Sequence, residues 1–276
     1  MRRPDPLISI VTVVLNYRDG LKGTEESVSC QTFRNYEWLV VDGGSRDGSA
    51  DIPRTSDIEP LKWVSEPDRG LYDAMNKGVK MATGRYVLFL NAGDKLAGEK
   101  VTEDIAQLIA EVLSREQTAP VIMGGFNLVL PQGGKVYKPP RRVEYIRHSL
   151  PTSHQAIFFP SDFIKHHPYD VTYRICGDYY IAALAYRVGR NFLAVDVSVA
   201  DFELGGLSYR QPLALMHEAM RIQRTVLELG YPTIFASAMY RAAKMLGIRM
   251  LARIPSLAKM RNLRPLRSVN NEESGA

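Results

Sequence analysis

Short apolar runs alternate with stretches of helical period along the first hundred residues, and this rhythm narrows the architecture more than any other feature of the chain. Residues 7–15 form an apolar, β-branched run that reads as a buried first strand. Residues 21–31 have helical period, with Glu25 and Glu26 on the wet side, and 38–41 reads as a second strand. After the Gly-Ser-Asp turn at 43–49 comes a short helical stretch that has to end near Pro53 and Pro60. A weak strand at 61–64, a helix at 72–81 with Leu71, Met75 and Val79 at four-residue spacing, and a strand at 86–90 complete the series. Strands that alternate with helices are joined by right-handed crossovers. The expected fold class is therefore α/β, a Rossmann-like, mainly parallel sheet with helices on both faces.

Beyond Asp94 the rhythm loosens. Residues 102–115 read as a helix, 121–130 as a strand, Pro131-Gln132-Gly133-Gly134 as a hairpin turn and 135–138 as the returning strand. A helix at 177–188, a strand at 192–197 and a long helix at 209–229, opened by Ser208 and closed by Gly230, follow. Met239, Ala243, Leu246, Met250 and Ile254 form an apolar stripe in a last helix. The chain thus reads as a domain over 1–230 with a C-terminal helical extension over 231–276.

Charge separates those two parts. Arg241, Lys244, Arg249, Arg253, Lys259, Arg261, Arg264 and Arg267 occur with no acid before Glu272. With this tail set aside, the net charge of +5 falls to −1 for the body. Aromatic residues are absent from 241–276, so the tail lacks the stacking platform of a nucleic-acid binder, and no nucleic-acid partner is expected. Anionic lipid attracts such bases by about 1 kcal/mol each, which makes the cytoplasmic membrane surface a candidate partner; a helix docked on the body is the alternative.

Composition excludes other classes. With 45% hydrophobic and 24% charged residues, and 21 Gly and 16 Pro in 276 residues, the chain is neither disordered nor collagen-like. Cys30 and Cys176 are too few for a disulfide framework and no C-x-x-C pair occurs, so a reducing, cytoplasmic location is expected. No uncharged apolar stretch reaches the roughly 18 residues of a spanning helix. Arg2 and Arg3 precede the first apolar run without a small-residue cleavage site, which favours a strand over a signal peptide.

In an open parallel sheet, ligands bind beyond the carboxyl ends of the strands. After the first strand comes Asn16-Tyr17-Arg18-Asp19-Gly20, with no G-x-G-x-x-G, which argues against a dinucleotide site. After the second comes Asp42, able to accept from a nucleobase imide or a ribose hydroxyl, followed by glycines that admit a ligand close to the backbone; an ordinary turn with a helix cap is the competing reading. After the strand at 86–90 comes Asn91-Ala92-Gly93-Asp94, where a carboxylate beside a glycine can hold a divalent cation, Mg²⁺ or Mn²⁺, that a diphosphate also grips. Arg69, ahead of a helix start, is placed to steady phosphate, against the commoner fate of a solvated Arg.

The series V-V-D-G-G-S-R-D-G-S at 40–49, E-P-D-R-G-L-Y-D-A-M-N-K-G at 66–78 and G-R-Y-V-L-F-L-N-A-G-D at 84–94 resembles family 2 glycosyltransferases of the GT-A fold. It is most similar to the bacterial subgroup that builds capsular and exopolysaccharides, including colanic-acid-type enzymes. The later S-H-Q-A-I-F at 153–158, C-G-D-Y-Y at 176–180 and G-G-L-S at 205–208 look like the same subgroup. The resemblance implies that Asp42 contacts the base or ribose, that Asp94 is the last, metal-binding Asp of a D-x-D-type motif, and that Asp178 is the general base. It places Val13, Asn16, Gly43, Arg69, Asn76 and Asn91 on the donor side, and His154, Gln155, Gly205 and Gly206 on the acceptor side and its closing loop. The chain departs from the pattern at Asn91, where the motif usually has its first acid; this puts strict metal dependence in question.

The implied function is an inverting glycosyltransferase. It moves a sugar from a nucleotide-diphosphate donor, expected to be UDP-linked, to a lipid-linked or growing polysaccharide, with 1–96 as the nucleotide-sugar half and 97–230 as the acceptor half. A non-catalytic nucleotide-sugar-binding partner is the alternative, favoured by Asn91 and opposed by the intact Asp178. A hydrolase or nucleotidyltransferase on the same fold fits the motif order less well.

Overall fold

The computed structural model describes residues 5–115, 118–130, 133–203 and 211–252, and of 244–252 the helical backbone alone. Gly205 and Gly206, with the turn residues Pro131 and Gln132, lie outside the described residues. The chain divides into two compact units, Met1–Gly230 and Tyr231–Ala276.

Strand β1 (Ile8–Val14) is the axis of the first unit: all seven of its residues are buried, as an apolar β-branched run covered on both faces must be. It pairs in parallel with β2 (Tyr36–Asp42), Ile8 opposite Tyr36 through Val14 opposite Asp42, and with β4 (Tyr86–Phe89) on its other edge. Strand β3 (Leu61–Ser65) extends the sheet beyond β2, again in parallel. Helices α1 (Arg18–Ser29), α2 (Asp51–Thr55) and α3 (Leu71–Met81) are the crossovers. On α3 the buried face is Tyr72, Met75 and Val79 together with Gly78, where a Cβ would meet Val11 Cγ1 at 2.3 Å; Leu71, expected in that stripe, is 38% exposed.

The second half adds strands of both directions. Beyond β4 come β8 (Ile157–Pro160), β6 (Val121–Val129), β9 (Phe192–Glu203) and the two-residue β5 (Lys95–Leu96), in that order. Pairing is antiparallel at β4·β8, β8·β6 and β9·β5, and parallel at β6·β9. Strand β7 (Lys135–Lys138) folds back on the far part of β6. The sheet is thus parallel from β3 to β4 and mixed beyond, still α/β as expected. Helix α4 (Val101–Arg115) follows β5, α5 (Ser161–His166) follows β8, and α6 (Gly177–Arg187) and α7 (Pro212–Thr225) flank β9.

Several boundaries differ from expectation for tertiary reasons. Helix α1 begins at Arg18, earlier than its apolar period, because Arg18 N–H donates 2.9 Å to Asp47 Oδ2, a partner from the turn after β2. Strand β9 continues to Glu203 because bulged β6 carries on beside it. Helix α7 starts at Pro212, a proline suited to a first helical turn, and stops at Thr225; Glu228 then takes a left-handed φ of 52°. In the second unit, α8 (Tyr231–Ala252) is one helix. Among the described residues no helix is long and apolar enough to cross a membrane.

Candidate active site

The carboxyl ends of β1, β2 and β3 form a knitted turn cluster. Asp42, the last residue of β2, is completely buried; its carboxylate accepts Ser45 N–H at 3.1 and 3.2 Å and the Ser65 hydroxyl at 2.5 Å. Asn16, held at a φ of 49°, donates its N–H to Ser45 Oγ at 2.7 Å and accepts Arg46 N–H on Oδ1 at 2.9 Å. These bonds give Asp42 the turn-shaping role, and its carboxylate ends β2 on the side where ligands bind in an open parallel sheet. At Gly43 a Cβ would stand 2.7 Å from Asp68 Oδ2, so a side chain here would displace the Asp68 carboxylate.

Arg69 lies on the rim, its side chain 81% exposed and paired with Asp73 Oδ1 at 3.2 Å. The Arg69 N–H and guanidinium together hold the Asp73 carboxyl below its ordinary range. The N-terminus of α3 adjoins Arg69.

A second cluster lies at the ends of β4, η-turn 154–156 and α6. Asn91-Ala92-Gly93-Asp94 is fastened to α1 by Thr24, whose hydroxyl accepts Gly93 N–H at 3.0 Å and donates to the Asp94 carbonyl at 2.7 Å. Tyr17 packs over Gly93, where a Cβ would approach its ring to 2.7 Å. Asp94 Oδ2 accepts Gln155 Nε2–H at 2.9 Å, and Gln155 is oriented in turn by the Ser153 hydroxyl. Burial pushes the Asp94 carboxyl above its usual value, with His154 and Gln155 pulling the other way.

His154 joins the two acidic positions. Its Nε2 is 3.0 Å from Asn91 Nδ2, and its Nδ1 is 3.4 Å from Asp178 Oδ2. The consistent tautomer carries the proton on Nδ1, toward the carboxylate, and accepts from the Asn91 amide on Nε2. Asp178, second residue of α6, is lifted above the ordinary carboxylate range by burial, with His154 and the Tyr169 hydroxyl opposing. Asn91 Oδ1 has no hydrogen-bond partner, and Asp178 Oδ1 and the Tyr169 hydroxyl, buried beside each other, meet only outside hydrogen-bond geometry. Burial raises the Tyr169 and Tyr72 phenols well above their usual values, so both stay protonated. Unsatisfied buried acceptors are costly, which makes Asn91 Oδ1 and Asp178 Oδ1 candidates to accept from a ligand.

Among the described residues no three His, Cys, Asp or Glu side chains converge as a metal cage. Asp94 supplies one carboxylate and the orphaned Asn91 Oδ1 one neutral oxygen in the same turn. That hard-oxygen pair fits a Mg²⁺ or Mn²⁺ that takes its remaining ligands from phosphate and water.

The structure brings together Asn91, Asp94, His154, Gln155 and Asp178, and separately Asn16, Asp42 and Gly43. Two expected donor residues have other work. The Val13 side chain is in the core and its carbonyl accepts Ala92 N–H at 3.1 Å, while Asn76 spends both amide groups on the Tyr169 backbone, each at 2.9 Å. Thr24, Ser65, Tyr72 and Tyr169 went unread. Tyr72 had a signal in the E-P-D-R-G-L-Y motif; Tyr169 had none, being a lone aromatic in an irregular segment. A cavity of about 550 Å³ opens near Arg34, Tyr36 and Glu59, at the amino end of β2, away from all of these groups.

The model of Glycosyl transferase family 2 matches residues 9–111. A Mycobacterium tuberculosis protein named Uncharacterized glycosyltransferase MT1564 is 32% identical over 226 residues, covering 79% of this chain and 83% of the other. A PGL/p-HBAD biosynthesis glycosyltransferase of Mycobacterium bovis is 32% identical over 181 residues, 63% of this chain and 67% of that one. The chain belongs to glycosyl transferase family 2 and is a glycosyltransferase.

Solved structures show the same fold at low identity. S. aureus TarS 1–349 in complex with UDP superposes with a TM-score of 0.60 at 17% identity, over 93% of this chain and 75% of that one. The mannosyltransferase PcManGT of Pyrobaculum calidifontis, in complex with GDP-Man and Mn²⁺, gives 0.63 at 14% identity, over 94% and 79%. Of a longer TarS chain, this chain spans 46%. The architecture is GT-A.

Proposed function

We propose that the chain transfers a sugar from a UDP-linked donor, with inversion, to a hydroxyl of a lipid-linked or growing cell-surface polysaccharide of the exopolysaccharide class. The observation that carries the reading is Asp178 Oδ1, buried, unpartnered, and linked through His154 to the turn that bears Asn91 and Asp94. Residues 1–96 hold the donor, with Asn16, Asp42 and Gly43 around the nucleoside and Arg69 at the phosphates; 97–230 supply the acceptor side.

The acceptor hydroxyl gives its proton to Asp178 Oδ1 as its oxygen bonds to the anomeric carbon. The bond from that carbon to the diphosphate oxygen breaks with its electron pair on the diphosphate. A carboxylate whose pKa is raised by burial is a stronger base than a solvated one, which suits it to this proton. His154 orients Asp178 and, through Asn91, keeps base and donor turn in register; Gln155 does the same for Asp94. A divalent cation, Mg²⁺ or Mn²⁺, held at Asp94 and Asn91 would offset charge on the leaving diphosphate. One base and one in-line displacement invert the anomeric centre.

Exposed Tyr231, Phe235 and Met239 recur every four residues on α8, ahead of the acid-free basic run. Apolar and aromatic side chains next to excess positive charge support a peripheral seat on an anionic, cytoplasmic membrane face. Flotation with anionic and neutral vesicles tests this: binding to the anionic set that falls as salt rises is expected, and equal binding to both would refute it.

The central test is transfer from a panel of radiolabelled nucleotide sugars, with Asp178→Asn alongside. Loss of transfer with unchanged UDP binding is expected. An Asp178→Asn protein that keeps more than about a tenth of the rate removes Asp178 as the base. No transfer by the unaltered chain from any donor, despite UDP binding, would favour a nucleotide-sugar-binding partner.

A further inference from the structure

Asp178 sits at the start of α6, and α6 has no cap of its own. The residue at its N-cap position, Cys176, makes no side-chain capping bond. The N–H groups of the three residues just ahead of the helix find their acceptor 42 or more residues further along the chain. Glu218, in the middle of α7, accepts Arg174 N–H on Oε1 at 2.9 Å, and Ile175 N–H and Cys176 N–H on Oε2 at 3.0 and 2.8 Å. Charge-assisted bonds of this kind are roughly twice as strong as neutral ones, and three on one carboxylate fix its plane as well as its distance.

Other contacts complete the clamp. Cys176 Sγ lies 3.5 Å from the Leu215 carbonyl, one turn earlier on α7. Arg221, one turn later, stacks 4.4 Å over the Tyr173 ring and lies 3.8 Å from Asp170 Oδ2. From the opposite side the Tyr72 hydroxyl donates 2.8 Å to the Ile175 carbonyl, and its ring fills the space of the missing Gly177 Cβ, which would come within 2.5 Å. The backbone that delivers Asp178 is thus gripped between α3 and α7, and Glu218 provides three of the bonds.

We propose that Glu218 is a positioning residue for Asp178: by binding the three N–H groups just ahead of α6, it sets where the base meets the acceptor hydroxyl. This rests on the reading of Asp178 as the base. With its carboxylate spent on backbone N–H groups, Glu218 acts through Asp178. Its loss therefore lowers kcat while leaving donor affinity alone, since displacement of a reacting group by about 1 Å costs on the order of 10²-fold in rate.

The experiment compares full-length Glu218→Ala, Glu218→Gln, Asp178→Asn and the double variant Asp178→Asn/Glu218→Ala, assayed well below each melting temperature. The readouts are kcat, acceptor KM and calorimetric UDP affinity. Expected for Glu218→Ala is a kcat lower by about 10²-fold with UDP affinity within about twofold. Glu218→Gln retains one accepting oxygen and should fall between it and the unaltered protein. Where the alanine variant fails to fold, the glutamine variant carries the same test, with a loss of about tenfold expected. In the double variant the base is gone already, so Glu218→Ala should add less than about twofold to the loss from Asp178→Asn.

Normal kcat in a folded Glu218 variant overturns the proposal and leaves the base assignment standing. Fully multiplicative losses in the double variant overturn it too, by showing that Glu218 acts independently of Asp178. Full activity in Asp178→Asn instead refutes the base assignment, and the role given to Glu218 falls with it.

Discussion

Glu37 and Asp178 are both carboxylates withdrawn from water, and their surroundings are opposite in kind. Glu37 opens β2 at the amino end of the parallel strands and is 1% exposed. Its Oε1 accepts the Ser9 hydroxyl at 2.7 Å, the Thr83 hydroxyl at 2.9 Å and the N–H groups of Thr83 and Gly84, while Oε2 meets Lys62 Nζ at 2.8 Å. Burial alone would raise its pKa, but the bonds from Lys62, Ser9 and Thr83 outweigh burial, and the net shift is downward. Asp178 has one carboxylate oxygen with no partner, and its pKa goes up, because burial dominates the help from His154 and Tyr169. The first arrangement ties β1, β2, β3 and the turn before β4 together. The second leaves one buried acceptor unsatisfied, the feature on which the proposed role of Asp178 as the base rests.

The largest way to break this comparison is Asp178→Asn, expected to lower transfer by about 10²–10⁴-fold in a quantitative assay while UDP affinity stays within about twofold. Glu37→Gln comes next. It puts an amide N–H where Lys62 needs an acceptor, or else deprives Thr83 and Gly84 of theirs, and should cost about 2–3 kcal/mol, seen as a melting temperature lower by roughly 5–10 °C. Removal of the imidazole in His154→Ala should reduce kcat by about tenfold, with the fold intact by circular dichroism, because Asp178 and the Asn91–Asp94 turn lose their common link.

The smallest effect has the opposite sign. A carboxyl whose pKa is raised on folding is stabilised in its protonated form, so the strain from ionised Asp178 is present above its folded pKa and relieved as pH falls through it. Asp178→Asn should then raise the melting temperature at neutral pH by roughly 2–4 °C, and this gain should vanish in acid. Glu37 behaves inversely. Its depressed pKa contributes stability above the unfolded value that is lost as pH falls through the folded one. Melting curves of both variants against pH that failed to diverge in this manner would erase the distinction between the two carboxylates.

Much of residues 1–96 was legible in the sequence, because a strand buried on both faces leaves a continuous apolar run and a helix with one apolar stripe leaves a local period. The β1–β4 series, the turn at 43–49 and the acids after each strand are of that sort. The antiparallel part was less legible. Strand β8 is only four residues long and has no period to read, and bulged β6 carries β9 six residues beyond its expected end. On α3, Leu71 matched the spacing of the buried face yet lies outside it, and Tyr72 takes its place beside Gly177.

What the chain's own pattern determined is the class of fold, the family, and which acids stand at strand or helix ends, since each is a matter of residue type at short spacing. Only the tertiary structure decided what those residues do: that Asn91 faces His154, that Asn76 holds the Tyr169 backbone, and that Glu218 clamps the segment before Asp178. These partners lie 42 to 93 residues apart. A hydrogen bond depends on where two atoms meet in space, and no periodicity along the chain records a meeting made by folding.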